Sequence, residues 1–444
     1  MTRSQPPTGS SATWRNWSGL ERASGLRVVT PGSAEAVVEE VRRAADLGET
    51  VKFAGAGHSF TGIARPRHTL LLPDRLGGVT GIDREAMTVT ALAGTRLKDL
   101  NAELERQGLS LHNMGDIAEQ TLAGAISTGT HGTGGRAAGL AAQVVGLELV
   151  TGAGELLPLS ATEHADLLDV ARVGLGALGI LVSVTFAVEP LFLLRAEERP
   201  LRWDEALATF DEVVAAHDHV DMYWFPHSDR LLTKRNDRVG TDLSKAEPLP
   251  RWRHWLDDDF LSNTVFGAQT AALNRVPRAI PRANRVASRL LAPRTYTDVA
   301  HKVFTSERRV VFREMEYAVP RAAGLTALRE ARRMLEASGL SISFPVEIRV
   351  APADDVPLST AHDRDSLYLA FHTHHAAEHA RYFALMEAVM RDHDGRPHWG
   401  KLHTRTADDL APLYPRFEEF LAVRDRLDPA RVFGNDYLRR VLGS

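Results

Sequence analysis

The sequence contains no cysteine. Disulfide bonds, thiolate metal sites and cysteine nucleophiles are therefore all excluded. No stretch reaches the roughly 18 consecutive apolar residues that a transmembrane helix needs. The first residues, MTRSQPPTGSSATWRNWSGLERA, lack the apolar core of a secretory signal. We therefore expect a soluble cytoplasmic protein.

Acidic residues only slightly outnumber basic ones, 57 to 53, which gives a net charge of −4 over 444 residues. This balance gives no electrostatic reason to expect nucleic acid as a partner. The hydrophobic and charged fractions, 44% and 25%, are those of an ordinary globular protein. The length exceeds what one hydrophobic core usually serves, so we expect two domains.

The first 190 residues show helix and strand patterns separated by glycine-rich turns. Ser33 can cap a helix that Gly48 ends, with its apolar residues on one face. TVKFA has the alternation of a strand, TRLKDLNAELERQG predicts a second helix, and VVGLELVTGAGELLPLS predicts two strands joined by a turn. GLGALGILVSVTFAVEP predicts a long strand that stops at Pro190. We predict an α+β unit that ends there.

The stretch from Phe260 to Thr297 contains no acidic residue but six arginines, namely Arg275, Arg278, Arg282, Arg285, Arg289 and Arg294. With the preceding RWRHWL, this composition would suit a membrane-surface element. Prolines at positions 277, 281 and 293 prevent one long amphipathic helix. We therefore favour a solvated excursion, packed onto the protein by Leu273, Val276, Val286 and Leu290.

Two glycine-rich stretches are candidates for ligand binding. VKFAGAGHSFTGIA is not a dinucleotide fingerprint, because Gly62 comes too late and no helix pattern follows. A glycine loop between two strands can still cradle phosphates, because its amides converge. TLAGAISTGTHGTGG would let a flat or phosphorylated ligand lie against the backbone, or it is a tightly packed turn region.

Charged residues of the second half suggest a further site. Glu347 and Arg349 in FPVEIRV alternate along a strand and so point to one face, as a buried ion pair or as the wall of an active site. In GRPHWGKLH, a turn after Pro397 carries His398 and Lys401.

A zinc-peptidase pattern is present as well. HHAAEH contains His375-x-x-Glu378-His379, the spacing of the inverted zinc peptidases. A helix that begins near His375 with exposed polar residues explains the pattern equally well. The peptidase alternative predicts bound zinc and a colourless protein.

Six motifs together resemble one known family. AGAGHSF, AGAISTGTHGTG, GLGALGI, YWFPHS, FPVEIR and GRPHWGK occur in the order and at the spacing of the aldonolactone oxidoreductases. These are flavoproteins of the vanillyl-alcohol-oxidase superfamily and include the gulonolactone oxidases and dehydrogenases. Alditol oxidases share the same landmarks. The likeness runs from about Trp14 to the end of the chain.

The resemblance implies FAD, bonded through its 8α-methyl carbon to His58, and no metal. An ordinary loop histidine at this position would leave FAD dissociable. The positions that the resemblance assigns to the cofactor are Ala54, Gly55, Ala56, Gly57, His58, Ser59, Asp116, Thr121, Gly124, Ser127, Thr128, Ile180, His398 and Lys401.

The resemblance also implies a reaction, the transfer of a hydride from a carbinol carbon to flavin N5. The catalytic residues would be Glu347, Arg349 and Lys401, with Glu316 added by analogy with alditol oxidases. The substrate would be a polyhydroxylated small molecule, a sugar lactone oxidised at C2 or alternatively an alditol. Gly115 matches the position where a side chain can exclude oxygen, which favours O2 over another electron acceptor.

The implied fold is α+β with two domains of the PCMH type. Residues 1–190 would form an FAD-binding domain of two α/β subdomains. Residues 191–410 would form an inserted substrate domain, an antiparallel sheet flanked by helices. Residues 411–444 would pack back on the FAD-binding domain.

Overall fold

The computed structural model describes residues 12–254, 263–306 and 309–444. The first 11 residues of the predicted FAD-binding domain, the end of RWRHWL and the start of the arginine-rich stretch lie outside the described residues. The strands are β1 (Ala12–Arg15), β2 (Arg22–Val29), β3 (Val51–Phe53), β4 (Thr69–Leu71), β5 (Val79–Asp83), β6 (Thr88–Leu92), β7 (Leu109–Ser110), β8 (Val144–Val150), β9 (Leu156–Ser160), β10 (Ile180–Ala187), β11 (Glu189–Pro190), β12 (Leu193–Arg202), β13 (His219–Trp224), β14 (Arg230–Gly240), β15 (Arg294–Val299), β16 (Phe312–Pro320), β17 (Val346–Ala351), β18 (Ser366–His374) and β19 (Arg396–Pro397).

Fifteen α-helices lie within the described ranges. They are α1 (Ala34–Asp46), α2 (Leu97–Arg106), α3 (Leu122–Ser127), α4 (Ala165–Ala171), α5 (Trp203–Ala208), α6 (Phe210–Ala216), α7 (Arg251–His254), α8 (Phe266–Arg275), α9 (Ile280–Leu290), α10 (Ala300–Phe304), α11 (Arg321–Ser338), α12 (Ala380–Asp392), α13 (Ala407–Leu410), α14 (Phe417–Leu427) and α15 (Asp436–Leu442). Across the described ranges, none of them has both the length and the apolar character to cross a membrane.

A four-stranded sheet in the order β1-β2-β4-β3 opens the fold, with β4 parallel to both of its neighbours. The predicted first helix is confirmed as α1. Ser33 caps it by accepting a hydrogen bond from the Ala36 amide, and Gly48 has a positive φ of 63° just beyond its end. Val37 and Val41 are buried against this sheet, as the pattern predicts.

A five-stranded antiparallel sheet follows, in the order β5-β6-β10-β8-β9. The predicted pair of strands is confirmed as β8 and β9, and the predicted second helix as α2. The last strand predicted before Pro190 is divided into β10 and the two-residue β11, which pairs with β7.

An eight-stranded antiparallel sheet holds the second half together, in the order β15-β12-β14-β13-β17-β18-β16-β19. Because β17, β18 and β16 are adjacent strands in this sheet, polar side chains on their common face converge. Helices α11 and α12 pack on the other face over a core that includes Leu328, Phe371 and Met386.

The C-terminal segment packs against the first two sheets. The Val51 amide donates to the Val432 carbonyl at 2.8 Å, and Asn435 Nδ2 donates to the carbonyls of Gly62 and Ile63 at 3.0 Å each. Helix α15 buries Leu438 in the same core as α2.

The arginine-rich stretch differs from the prediction in one respect. As expected, it does not form one long helix, because the chain turns at Pro277 between α8 and α9. The predicted packing is wrong for three of its four apolar residues: Val276, Val286 and Leu290 are 58%, 56% and 77% exposed. The inner face of α9 buries Ile280, Asn284 and Ser288, and the Asn284 amide donates to the Pro226 and Ile342 carbonyls.

Candidate functional site

The loop after β3 is shaped by two glycines. Gly57 adopts a positive φ of 72°, a conformation that glycine tolerates best. At Gly55, a Cβ atom would lie 2.1 Å from Thr121 Oγ1, so only glycine fits. The loop is held by the Trp17 amide, which donates to the Gly57 carbonyl at 2.8 Å, and by Asn16 Nδ2, which donates to the Ser59 carbonyl at 2.9 Å.

The second glycine-rich stretch faces this loop across a cavity, called the first cavity below. Thr121 caps the short helix α3 by accepting from the Gly124 amide. Predicted cofactor residues form much of the cavity wall, namely Gly55, Ala56, Gly57, His58, Ser59, Thr121, Gly124, Ser127, Thr128 and Ile180. Ala54 is buried directly behind the loop. The second glycine-rich stretch is therefore tightly packed, and it also forms part of the cavity wall.

His58 lies where the first cavity meets a second one, since it lines both. Its ring stacks on Trp17 with the ring centroids 5.5 Å apart. Burial lowers the pKa of His58 to about 4, so the imidazole is neutral at neutral pH.

The GRPHWGK turn is fastened between β16 and the His58 loop. The His398 and Leu402 amides donate to the carbonyls of Glu316 and Glu314. The Phe60 amide donates to the Gly400 carbonyl at 2.7 Å. Two motifs about 340 residues apart in the chain therefore meet, which places Lys401 in the second cavity beside His58.

A third, polar cavity adjoins the second and shares His398 and Lys401 with it. Every predicted catalytic residue lines it. The predicted residues on its wall are Gly115, Asp116, Glu316, Glu347, Arg349, His398 and Lys401.

Arg349 is surrounded by carboxylates. Its Nε donates to Asp221 Oδ1 at 2.8 Å, while Nη2 lies 2.7 Å from Glu347 Oε1 and 3.6 Å from Asp116 Oδ2. Burial would lower the pKa of Arg349, but the three carboxylates outweigh it and raise that pKa well above its usual value. The guanidinium is therefore charged and held in one orientation.

Lys401 is paired with Glu314, which accepts a hydrogen bond from its ammonium group. Burial would lower the pKa of Lys401, but Glu314 and Glu316 outweigh it and raise that pKa. The lysine therefore carries its positive charge inside the protein.

Each of these two glutamates also faces a histidine. His131 Nδ1 lies 2.9 Å from the Gly132 carbonyl, which can only accept, so Nδ1 carries the hydrogen. Nε2 then faces Glu316 Oε1 at 3.2 Å. His372 repeats the arrangement, with Nδ1 at 3.1 Å from the Pro345 carbonyl and Nε2 at 3.5 Å from Glu314 Oε1. Each glutamate therefore faces the Nε2 atom of a histidine whose Nδ1 is engaged by a backbone carbonyl.

His398 completes this polar wall. Its Nδ1 accepts from the Gly400 amide at 3.0 Å, and burial lowers its pKa to about 4. The donor atoms of His131, Glu316 and His398 all lie within 4.8 Å of one another, the spacing of a group that could hold a metal ion.

The zinc-peptidase alternative is wrong, because it requires His375 and His379 to lie on one helix. Residues 375–379 form a turn, and α12 begins only at Ala380. His375 Nδ1 lies 3.1 Å from the Val311 carbonyl, and His379 Nδ1 is bonded to Arg313. The two histidines are therefore not aligned one helical turn apart as that pattern requires.

Four site residues were missed in the sequence, and one of them is His372 on β18, which faces Glu314. Glu314 stands two positions before Glu316, and the alternation along β16 was a signal that both face one cavity. His131 lies inside the quoted motif THGTG. For Asp221, whose partner Arg349 is 128 positions away, no sequence signal was present.

Comparison with known proteins identifies the family. Residues 184–441, more than half of the chain, match the family of D-arabinono-1,4-lactone oxidases, and residues 26–160 match an FAD-binding domain. L-gulono-1,4-lactone dehydrogenase of Mycobacterium tuberculosis is 40% identical over 98% of this chain and all of its own. L-gulonolactone oxidase of Mus musculus is 32% identical over 96% of this chain and 98% of its own.

More distant relatives extend the likeness. Alditol oxidase of a Streptomyces species is 30% identical over 96% of this chain and 98% of its own. The crystallised His121Ala mutant of cholesterol oxidase from Brevibacterium sterolicum shares the fold, with a TM-score of 0.82 and 19% identity over the whole of both chains. The first cavity, whose wall includes Gly55 with no room for a Cβ, allows the close backbone approach that a large cofactor such as FAD needs. The protein pairs an FAD-binding domain with an antiparallel-sheet domain, and it belongs to the aldonolactone oxidase family of FAD-dependent oxidoreductases.

Proposed function

We propose that this enzyme oxidises a sugar lactone at its C2 hydroxyl, with L-gulono-1,4-lactone as the type of substrate. FAD would be covalently bound at His58, with O2 or another acceptor taking the electrons. The observation that carries the proposal is the polar cavity, which collects Glu316, Glu347, Arg349 and Lys401 and adjoins the cavity of His58. The 40% identity to a dehydrogenase of this lactone supports a lactone over an alditol.

The first cavity, which lies between the two glycine-rich stretches, would hold the cofactor. The loop from Ala54 to Ser59 would bind the pyrophosphate through its amides, with Thr121 and Gly124 opposite. When bound there, FAD supplies the hydride acceptor for the reaction. The lowered pKa of His58 supports covalent attachment, because only a neutral imidazole has a free nitrogen lone pair that can bond to carbon.

The polar cavity would bind and orient the substrate. Arg349 would donate to the lactone carbonyl or to hydroxyl groups, because its orientation is preset by Glu347, Asp116 and Asp221. Lys401 Nζ would stabilise the negative charge that develops on the C2 oxygen as its proton leaves. Glu316, which faces His131 Nε2 at 3.2 Å, would line the edge of the cavity beside the substrate.

We also infer the division of the chain into domains. Residues 1–190 and the C-terminal residues 411–444 would form the FAD-binding domain, with the substrate domain of residues 191–410 between them. The eight-stranded sheet between β12 and β19 supports this division, as do the contacts of Val432 and Asn435 with the first sheet.

Acid precipitation of the purified enzyme tests the flavin linkage. Yellow colour that stays in the washed pellet is expected for the wild type, and His58→Ala should move it to the supernatant. His68→Ala is the matched control, since it removes a histidine outside the three cavities. Colour released from the wild type would contradict the covalent bond to His58. It would still agree with the proposal that the enzyme uses FAD.

Steady-state kinetics tests the substrate. We expect kcat/KM for L-gulono-1,4-lactone to exceed that for xylitol by at least about 100-fold, because a pocket built for one set of polar groups rejects a ligand lacking them. The opposite order would assign the enzyme to alditols.

A further inference from the structure

A row of charged side chains crosses five adjacent strands of the eight-stranded sheet. Strand pairing sets Arg294 of β15 opposite Glu198 of β12, and Glu198 opposite Lys234 of β14. Lys234 is in turn opposite Asp221 of β13, and Asp221 binds Arg349 of β17. Residues directly opposite one another project from the same face of a sheet. The five side chains, called the charge row below, therefore form one line that ends at the polar cavity, where Arg349 is part of the wall.

The signs of the charge row alternate from one strand to the next. Arginine, glutamate, lysine, aspartate and arginine follow in that order, so each inner member has an opposite charge on both sides. Glu198 and Asp221 are each 7% exposed, and Arg349 is 8% exposed. Because a buried charge is costly unless an opposite charge compensates it, each member of the row depends on its neighbours.

Close ion pairs hold the two ends of the charge row. Arg294 Nη2 lies 2.8 Å from Glu198 Oε1, and Arg294 Nε lies 2.7 Å from Glu198 Oε2. At the other end, Arg349 Nε donates to Asp221 Oδ1 at 2.8 Å. Lys234 stands between these two pairs, so its charge connects them.

Lys234 is fixed in the middle of the charge row by helix α10. Its ammonium donates to the Val303 carbonyl at 2.7 Å, and carbonyls in the last turn of a helix have no partner within that helix. Burial would lower the pKa of Lys234, but Tyr296, Glu198 and Asp221 outweigh it and raise that pKa. The lysine is therefore a cation whose charge acts on both carboxylates of the row.

We propose that Lys234 is a positioning residue for Arg349 and acts through Asp221. This inference rests on the proposed function, in which Arg349 binds carbonyl or hydroxyl groups of the substrate. Lys234 is not part of the wall of any of the three cavities described above, so it would not touch the substrate itself.

The geometry of Arg349 explains how Lys234 would act. Arg349 meets Asp221 through Nε alone and directs Nη2 towards Glu347 at the polar cavity. Without the charge of Lys234, Asp221 would keep Arg349 as the one cation beside it in the row. A carboxylate then favours two parallel bonds from the guanidinium, which is the stronger arrangement. Arg349 would turn towards Asp221, and its Nη2 would leave the cavity.

Steady-state kinetics of Lys234→Met tests the proposal, because methionine keeps an unbranched side chain and removes the charge. We expect KM to rise about tenfold, the size of one coupling between neighbouring charges. We expect kcat to stay nearly constant, because Arg349 would contact the substrate before and during the reaction. Lys234→Arg keeps the charge and should restore KM. Lys245→Met, at an exposed lysine, is the matched control and should leave KM unchanged.

Lys234→Gln separates the charge from the hydrogen bond to the Val303 carbonyl, because a glutamine amide can still donate. The same rise in KM is expected for this variant. A Lys234→Gln or Lys234→Met variant with a lower Tm and an unchanged KM would overturn the proposal, since Lys234 would then only stabilise the sheet.

A double-mutant cycle with Asp221→Asn tests the route. If Lys234 acts through Asp221, adding Lys234→Met to Asp221→Asn should raise KM no further. The double variant loses one charge of each sign, so it also avoids an uncompensated buried carboxylate. A further rise of about tenfold in the double variant would overturn the proposal, because the two residues would then act independently.

The choice of substrate separates this proposal from the proposed function. The wild type is assayed with L-gulono-1,4-lactone and with xylitol, and the variants are assayed with the one that it oxidises faster. A preference for xylitol would contradict the lactone assignment. The ratio of KM between variant and wild type would still decide the role of Lys234.

Discussion

Lys401 is held by Glu314, a buried carboxylate 87 positions earlier in the chain. The pair joins the GRPHWGK turn to strand β16 and places one cation between the cavity of His58 and the polar cavity. Glu314 was not among the residues that the sequence assigns to catalysis. Its contact with Lys401 makes it a positioning residue.

Glu314→Gln should lower the pKa of Lys401. Without this carboxylate, less negative charge opposes the effect of burial, so the pKa of Lys401 should fall. Lys401 then loses its proton at lower pH, so the alkaline limb of the kcat/KM profile should move to lower pH. Glu378→Gln, an exposed glutamate, is the control. A lower kcat with an unmoved pH profile would show that Glu314 acts only through structure.

Gly55→Ala should abolish cofactor binding. The new Cβ would lie 2.1 Å from Thr121 Oγ1, so the glycine loop or α3 must shift, at a cost of about 1–3 kcal/mol. The flavin absorbance per protein measures the loss. Adding Thr121→Ala removes the hydroxyl and should restore part of it. Gly77→Ala, where nothing lies within 4 Å of an added Cβ, should retain full flavin content.

Gly115→Ala should slow reoxidation by O2 while reduction by substrate continues. An added Cβ would lie 3.0 Å from Thr130 Cγ2 and 3.2 Å from the His131 carbonyl, so it narrows the polar cavity there. Stopped-flow oxidation with O2 and with a dye acceptor separates the two rates. Equal slowing with both acceptors would mean that Gly115 is not an oxygen gate.

Lys52 should make stability depend on pH. Its ammonium is buried, which lowers its pKa from 10.5 to about 7 despite Asp428 nearby. Between these values the unfolded chain binds more protons than the folded protein, so the free energy of unfolding should rise with pH. The contribution is about 1.4 kcal/mol per pH unit within that window.

Urea unfolding between about pH 7 and pH 10 measures this contribution. Lys52→Met should be more stable than the wild type near pH 7, and the difference should shrink as pH rises. Lys98→Met, at an exposed lysine, should show no such trend. A constant difference between Lys52→Met and the wild type would contradict the lowered pKa.

Local structure could be predicted from the sequence where it depends on the residues of a single segment. The cap at Ser33, the apolar face of α1 and the alternation in β17 are set by neighbouring residues, and each is present in the structure. The packing of Val276, Val286 and Leu290 could not be read in this way, because Asn284 turns α9 by bonding to carbonyls of distant segments.

The sequence by itself determined helix α1 with its cap at Ser33, the alternation of Glu347 and Arg349, and the family motifs. Only the tertiary structure decided which charges meet. Lys401 pairs with Glu314, and Arg349 pairs with Asp221, across 87 and 128 positions. The physical reason is that pattern and propensity act within a few residues. The charge state of a buried group depends instead on whatever chain segments surround it.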